Sequence, residues 1–259
     1  HLVQIGNLKE SVLTDKDSFP LPLEKIEAAV NKPTDPYKDT AVILSHPNEA
    51  RPLVRQAFEK TQNDTEKAKL AQVLSVLGDA SGLDTLIAAV EAAPQLDKGW
   101  SYVGMGQFGA SMSPLDSLIY ALGRLGNRKA TPALVAKLKL LKPASEFSHF
   151  RALACALSQI RDPAAAAPLA ELLAAPGIRG QAITAISGAL DTAKKNPSWT
   201  ATAPRADGLR ELFLARALFL CGDKDGLGRK VLEEYAQDLR GHLARHATAV
   251  LQEAAEKKK

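Results

Sequence analysis

Apolar residues recur along this chain at the three- and four-residue spacing of one helix face. The stripe Leu23, Ile26, Ala29 and Val30 predicts a short helix over 22–32, and 33–40 is then expected as a loop, with Pro33 and Pro36 as breakers. Helical spacing returns over 47–61, where Leu53, Val54, Ala57 and Phe58 share a face. Asp64 or Thr65 can cap the next helix, with Leu70, Val73, Leu74 and Leu77 inward, and Leu83, Leu86, Ile87 and Val90 mark its partner. A long break comes next, at 94–113. Pro114 is well placed as the first residue of another helix, striped by Leu118, Ile119, Leu122 and Leu125. Leu134, Val135, Leu138 and Leu141 mark its partner. The next pair is expected over 146–160, capped by Ser145, and 163–174, capped by Asp162. Helices over 180–195, 209–221, 226–238 and on to about 256 complete the pattern, with 196–207 irregular; residues 1–20 also read as irregular.

Four of these stretches end on one short signature: Leu77-Gly78-Asp79, Leu125-Gly126-Asn127, Ile160-Arg161-Asp162 and Cys221-Gly222-Asp223. Each element has a physical role. The apolar residue buries at the end of the first helix, the glycine takes the left-handed C-cap conformation, and the Asp or Asn caps the second helix. Arg161 replaces the glycine, so its turn is expected to use a different geometry. The pattern resembles HEAT repeats over about 65–252. The fold this implies is all-α: one curved, right-handed α-solenoid of HEAT-like helix pairs over 21–259, with a long inter-repeat loop at 94–113 and a closing, solvated terminal helix.

Composition agrees with helices. Aromatics make up only 5% of the 259 residues, and no run of β-branched residues alternates as a strand would. The net charge is +4, with three of the lysines at positions 257–259, so the remaining body is nearly neutral and carries no dominant grip on nucleic acid. Arg124, Arg128, Lys129, Lys137, Lys139 and Lys142 could contact phosphates, but a solvated basic face explains them more simply. Cys155 and Cys221 fall on apolar helical stretches and read as buried free thiols. No segment approaches the roughly 18 apolar residues of a membrane span, and a water-soluble chain is expected. The chain opens on His1 with no signal-peptide pattern, so processing or truncation of its start is expected.

Three segments could carry chemistry. Gly104-Met105-Gly106-Gln107-Phe108-Gly109 is a literal G-x-G-x-x-G, but it lacks the preceding strand, the immediate helix and the later acid of a dinucleotide site. It reads either as an ordered loop anchored by Trp100, Tyr102 and Phe108 or as a loop that touches a partner. His242 and His246 stand four apart on one helix face; a metal site needs a third ligand, and none is visible nearby, although Glu146 and His149 could join from another repeat. Ion pairing by Asp238, Arg240 and Arg245 is the simpler role for that stretch. Glu146-Phe147-Ser148-His149-Phe150-Arg151 places a His near a Glu, which alone does not make a general base.

The C-terminal stretches 209–218, Cys221-Gly222-Asp223 and 238–247, together with 104–108, Ser113-Pro114-Leu115-Asp116 and 146–151, are similar to the HEAT-like C-terminal region of some large bacterial FAD-dependent oxidoreductases. In that family the flavin and its chemistry belong to a separate N-terminal domain. The resemblance therefore carries no catalytic or FAD-binding residue over to this chain, and the residues themselves offer no complete metal-ligand set. It implies a non-catalytic, armadillo-like helical scaffold, an accessory part or partner of a flavoprotein. The candidate partner-binding residues are Trp100, Tyr102, Met105, Gln107, Phe108, Glu146, His149, Arg151, Asp238, Arg240, His242, Arg245 and His246. A free-standing protein-binding scaffold and a HEAT-like nucleic-acid-binding or base-excising protein are the alternatives.

Overall fold

The computed structural model describes residues 20–99, 113–197 and 203–256. Among these there are thirteen α-helices and no β-strand. The chain forms two compact units that divide after Ala89, within one helix.

The first unit contains α1 (Leu23–Asn31), α2 (Pro36–Ser45), α3 (Pro47–Lys60), α4 (Asp64–Val76) and the start of α5 (Leu83–Ala92). Ile26, Val30, Val42, Val54, Phe58 and Leu74 form its core. Leu23, expected on the inner face of α1, is instead exposed, because it is the first helical residue and turns outward. Leu70 and Val73 of α4 are only half-buried. Pro36 does not break a helix but begins α2, where a missing N–H costs nothing, and Asp39 accepts the N–H groups of Thr34 and Asp35. The cap of α4 is Asn63, which accepts from the Glu66 N–H, rather than Asp64 or Thr65.

The second unit contains α6 (Pro114–Leu125), α7 (Thr131–Leu138), α8 (Phe147–Ile160), α9 (Ala166–Ala174), α10 (Ile186–Lys195), α11 (Ala203–Leu220), α12 (Leu227–Ala236) and α13 (Gly241–Glu256). Helix α8 packs on α6 and on α11, and α11 in turn packs on α12 and α13. The core runs through Ile119, Leu122, Phe150, Leu153, Leu157, Leu212, Leu218 and Tyr235. Two boundaries differ from expectation. Residues 180–185 are not helical, because N–H groups at 180, 181 and 183 are taken by the carboxylates of Glu211 and Asp238. Helix α11 begins at Ala203, so the end of the expected irregular stretch is helical. Ser145 does not cap α8; its hydroxyl accepts from the Lys142 N–H instead, and Glu146 stands at the cap position without a side-chain bond.

Each signature turn closes a helix and opens a short 3-10 turn, at Ala80–Gly82, Arg128–Ala130, Pro163–Ala165 and Lys224–Gly226. Gly78 and Gly126 are left-handed, with φ of 73° and 62°. Arg161 is left-handed too, at φ 54° and ψ 42°, so it keeps the glycine geometry rather than departing from it. Asp79, Asn127 and Asp162 then cap their 3-10 turns by accepting the N–H two residues on. The fourth copy differs. Asp223 is itself left-handed, and its carboxylate reaches past the 3-10 turn to the N–H groups of Gly228 (2.6 Å) and Arg229 (3.2 Å), at the start of α12.

Candidate functional site

Three side-chain groups in the second unit contain candidate residues. The first begins with Pro114 as the opening residue of α6, which leaves Ser113 to cap it: the Ser113 hydroxyl accepts from the Asp116 N–H at 3.0 Å. The same hydroxyl donates to the Asp97 carboxylate at 2.7 Å, which also accepts from Gly99 N–H (2.8 Å) and Leu115 N–H (3.1 Å). Asp97 thereby ties Gly99 to Ser113, the two residues flanking 100–112. His149 locks the arrangement from α8. Its Nδ1 lies 2.7 Å from Asp116 Oδ1, and its Nε2 lies 3.1 Å from the Asp97 carbonyl and 3.6 Å from the Asp97 carboxylate. The ring is 1% exposed. Burial alone pushes its pKa down, but the two aspartates outweigh that and raise it, favouring an imidazolium that donates from both nitrogens. Asp97 is held below the usual carboxylate range: its own burial opposes this, and the bonds from Ser113, Gly99 and Leu115 prevail. With both nitrogens engaged, His149 has no lone pair for a metal or a substrate proton. The cluster is a clamp.

The second group absorbs Asp238 and Arg240. Asp238 accepts from Ile183 N–H (2.9 Å) and from the Arg240 guanidinium (2.6 Å). Arg240 also donates to the carbonyls of Pro204 and Gln181. Glu211, fully buried on α11, accepts from Tyr235 OH (2.9 Å), Arg179 (2.8 Å), Gly180 N–H (2.9 Å) and Gln181 N–H (2.7 Å). Burial and the adjoining Glu211 raise the Tyr235 pKa, so its phenol stays a donor. Every strong acceptor here meets a donor from 179–183 or α12. This network staples 179–183 to the end of the second unit and faces inward.

The third group lies where α8, α11 and α13 meet. Phe147 and Phe213 stack at a centroid distance of 6.2 Å, and His246 meets Phe213 edge-on at 5.8 Å. Arg151 and Arg216 both act electrostatically on Cys155, and Arg216 also acts on His246. These side chains are half-buried. Burial, assisted by Arg216, lowers the His246 pKa. Burial raises that of Cys155 against the pull of the two arginines. Cys221, by contrast, is fully packed and its thiol is pushed up to about 12 by burial.

Comparison of the chain with known protein families, curated proteins and solved structures finds no match.

Of the residues singled out from sequence, Arg151 and His246 come together in the third group. His149 belongs to the clamp, and Asp238 and Arg240 to the staple. Glu146, His242 and Arg245 are exposed. Trp100, Tyr102, Met105, Gln107 and Phe108 lie outside the described residues. His242 and His246 share a face of α13, yet among the described residues no three metal-binding side chains gather. Lys137 is buried and donates to the Ala93 carbonyl, so it is not part of a solvated basic face. Sequence reasoning missed Asp97, Phe213 and Arg216 as site residues. The Asp116–His149 contact had a readable signal: each is the third residue of its helix, in consecutive helix pairs, so stacking the pairs in register brings them side by side.

Proposed function

We propose that this chain is a HEAT-like α-solenoid serving as a non-catalytic interaction domain, attached to or partnering an FAD-dependent oxidoreductase. One observation carries the solenoid reading: three separate helix ends adopt the same left-handed turn followed by an Asx-capped 3-10 turn. A recurrent joint of this kind is how a chain builds repeated helix pairs that bury their faces on one another. The successive packing of α6 on α8 and α8 on α11 supports it. The non-catalytic reading is supported by the clamp and the staple, in which His149, Asp97, Glu211 and Asp238 are engaged by internal bonds. The link to a flavoprotein rests on the sequence resemblance alone, and any FAD would sit in the associated domain, with no residue of this chain assigned to it.

The test is the size of the native species. An antibody to this chain is used to probe a lysate of the source organism, and the detected species is purified. A polypeptide much larger than 27.6 kDa, or a complex, that carries flavin absorbance is the expected result. A species near 27.6 kDa with no flavin in any complex would replace this reading with that of a free-standing scaffold.

A further inference from the structure

The helices that meet at Phe213 share an uneven charge balance. Helix α8 contains no carboxylate, and α13 has none before Glu253. The two acids of α11 are already engaged, Glu211 by the staple and Asp207 by Arg210 at 3.3 Å. Arg151 on α8 and Arg216 on α11 are half-buried, and both act electrostatically on Cys155. Neither has a carboxylate partner among the described residues. Arg216 Nε and His246 Nε2 are buried without a hydrogen-bond partner there. The Phe147–Phe213 stack adjoins them, with the edge contact to His246 closing one side.

Two inset guanidinium groups with no acid between them repel one another, and burial together with Arg216 disfavours charge on the His246 ring until an anion arrives. A guanidinium fork suits a carboxylate, and an aromatic wall beside it suits an apolar side chain one or two residues away. We propose, on the basis of the interaction-domain reading, that the α8–α11–α13 face binds an acidic segment of a protein partner, whose carboxylates pair with Arg151 and Arg216 while a neighbouring aromatic or aliphatic side chain packs on Phe147 and Phe213. Nucleic acid fits less well. Phosphate backbones are tracked by an extended row of exposed lysines and arginines, whereas these two arginines are recessed.

The experiment is a fluorescence anisotropy titration of the full chain with a labelled peptide of repeating Glu-Glu-Phe, its Gln-Gln-Phe counterpart and a labelled oligothymidine. The Glu peptide is expected to bind at least roughly tenfold more tightly than the Gln peptide. The double variant Arg151→Gln with Arg216→Gln should lose about tenfold or more, and Arg151→Lys with Arg216→Lys should keep most of the affinity. A second readout needs no variant: the NMR titration midpoint of the His246 ring should rise when the Glu peptide is bound and stay put with the Gln peptide, because an anion favours the imidazolium. Equal affinity for the two peptides, an unmoved His246 midpoint, or tighter binding of the oligothymidine would overturn the proposal. None of these outcomes alters the native-species test, so a large flavin-bearing species with no acidic-peptide binding would sink this inference alone.

Discussion

Arg161 holds a left-handed backbone, at φ 54°, that its side chain does not favour. Left-handed helical geometry costs an L-residue about 1–2 kcal/mol, and the greater freedom of an unfolded glycine gives back about 0.5–1 kcal/mol of that. The compensations visible at Arg161 are weak: a 3.4 Å bond to the Ser158 carbonyl and an exposed ion pair with Glu253 at 3.3 Å. Arg161→Gly is therefore expected to raise stability by about 0.5–1 kcal/mol, measured by urea unfolding. A loss of about 1 kcal/mol or more would mean that the guanidinium contacts matter more than the backbone strain. The same turn shows why its geometry is hard to read from sequence. Glycine at the other three signatures makes the left-handed conformation legible, but an arginine there carries no local mark of it; only the neighbouring Asp162, capping like Asp79 and Asn127, preserves the signal.

Between elements, α6 and α8 approach closely in the second unit. A Cβ on Gly123 would stand 2.6 Å from Ala156 Cα and 2.9 Å from Ala156 Cβ. Backbone cannot step aside as a side-chain tip can, so Gly123→Ala is expected to destabilise by about 1–3 kcal/mol. Adding Ala156→Gly should recover part of the loss, and strict additivity in the double-mutant cycle would show that the two helices do not meet at this pair. Helix α10 is the opposite case. None of its residues is buried, and Ile186 and Leu190 are 73% and 57% exposed. With so few apolar contacts, its backbone amides should exchange with solvent far faster than those of α8 and α11, by hydrogen-exchange mass spectrometry. Comparable protection in α10 would mean that something covers Ile186 and Leu190 in solution. The periodicity that predicts a helix over 180–195 gives no warning that 180–185 is drawn out by Glu211 and Asp238, since those partners lie some 30 to 55 residues away.

At the scale of the whole molecule, the helical class was legible because Ala- and Leu-rich stripes of period 3.6 leave a chain few other ways to bury itself. The groups that set its response to pH were less so, because each depends on partners from distant segments. His149 was visible as a candidate, but not Asp97, 52 residues earlier, or the reason its charge is favoured. The two perturbed histidines act in opposite directions. His149 has a raised pKa, so its contribution is complete below about pH 6.5 and is lost as pH rises through its folded value. His246 has a lowered pKa, so the unfolded chain takes up its proton first, and stability is lost as pH falls from about 6.5 to its folded value. Asp97 and Asp238 have lowered pKa values; their contributions hold above about pH 3.9 and vanish as pH falls through their folded values. Urea unfolding across pH should therefore show an alkaline decline that Arg or Lys titration does not explain, a shallow decline just below neutrality, and a steep acid collapse. His149→Gln should lower stability at pH 6 and abolish the alkaline decline, while His246→Gln should flatten only the shallow one. An alkaline decline that survives His149→Gln would show that the proton between Asp97 and Asp116 is not the one being lost.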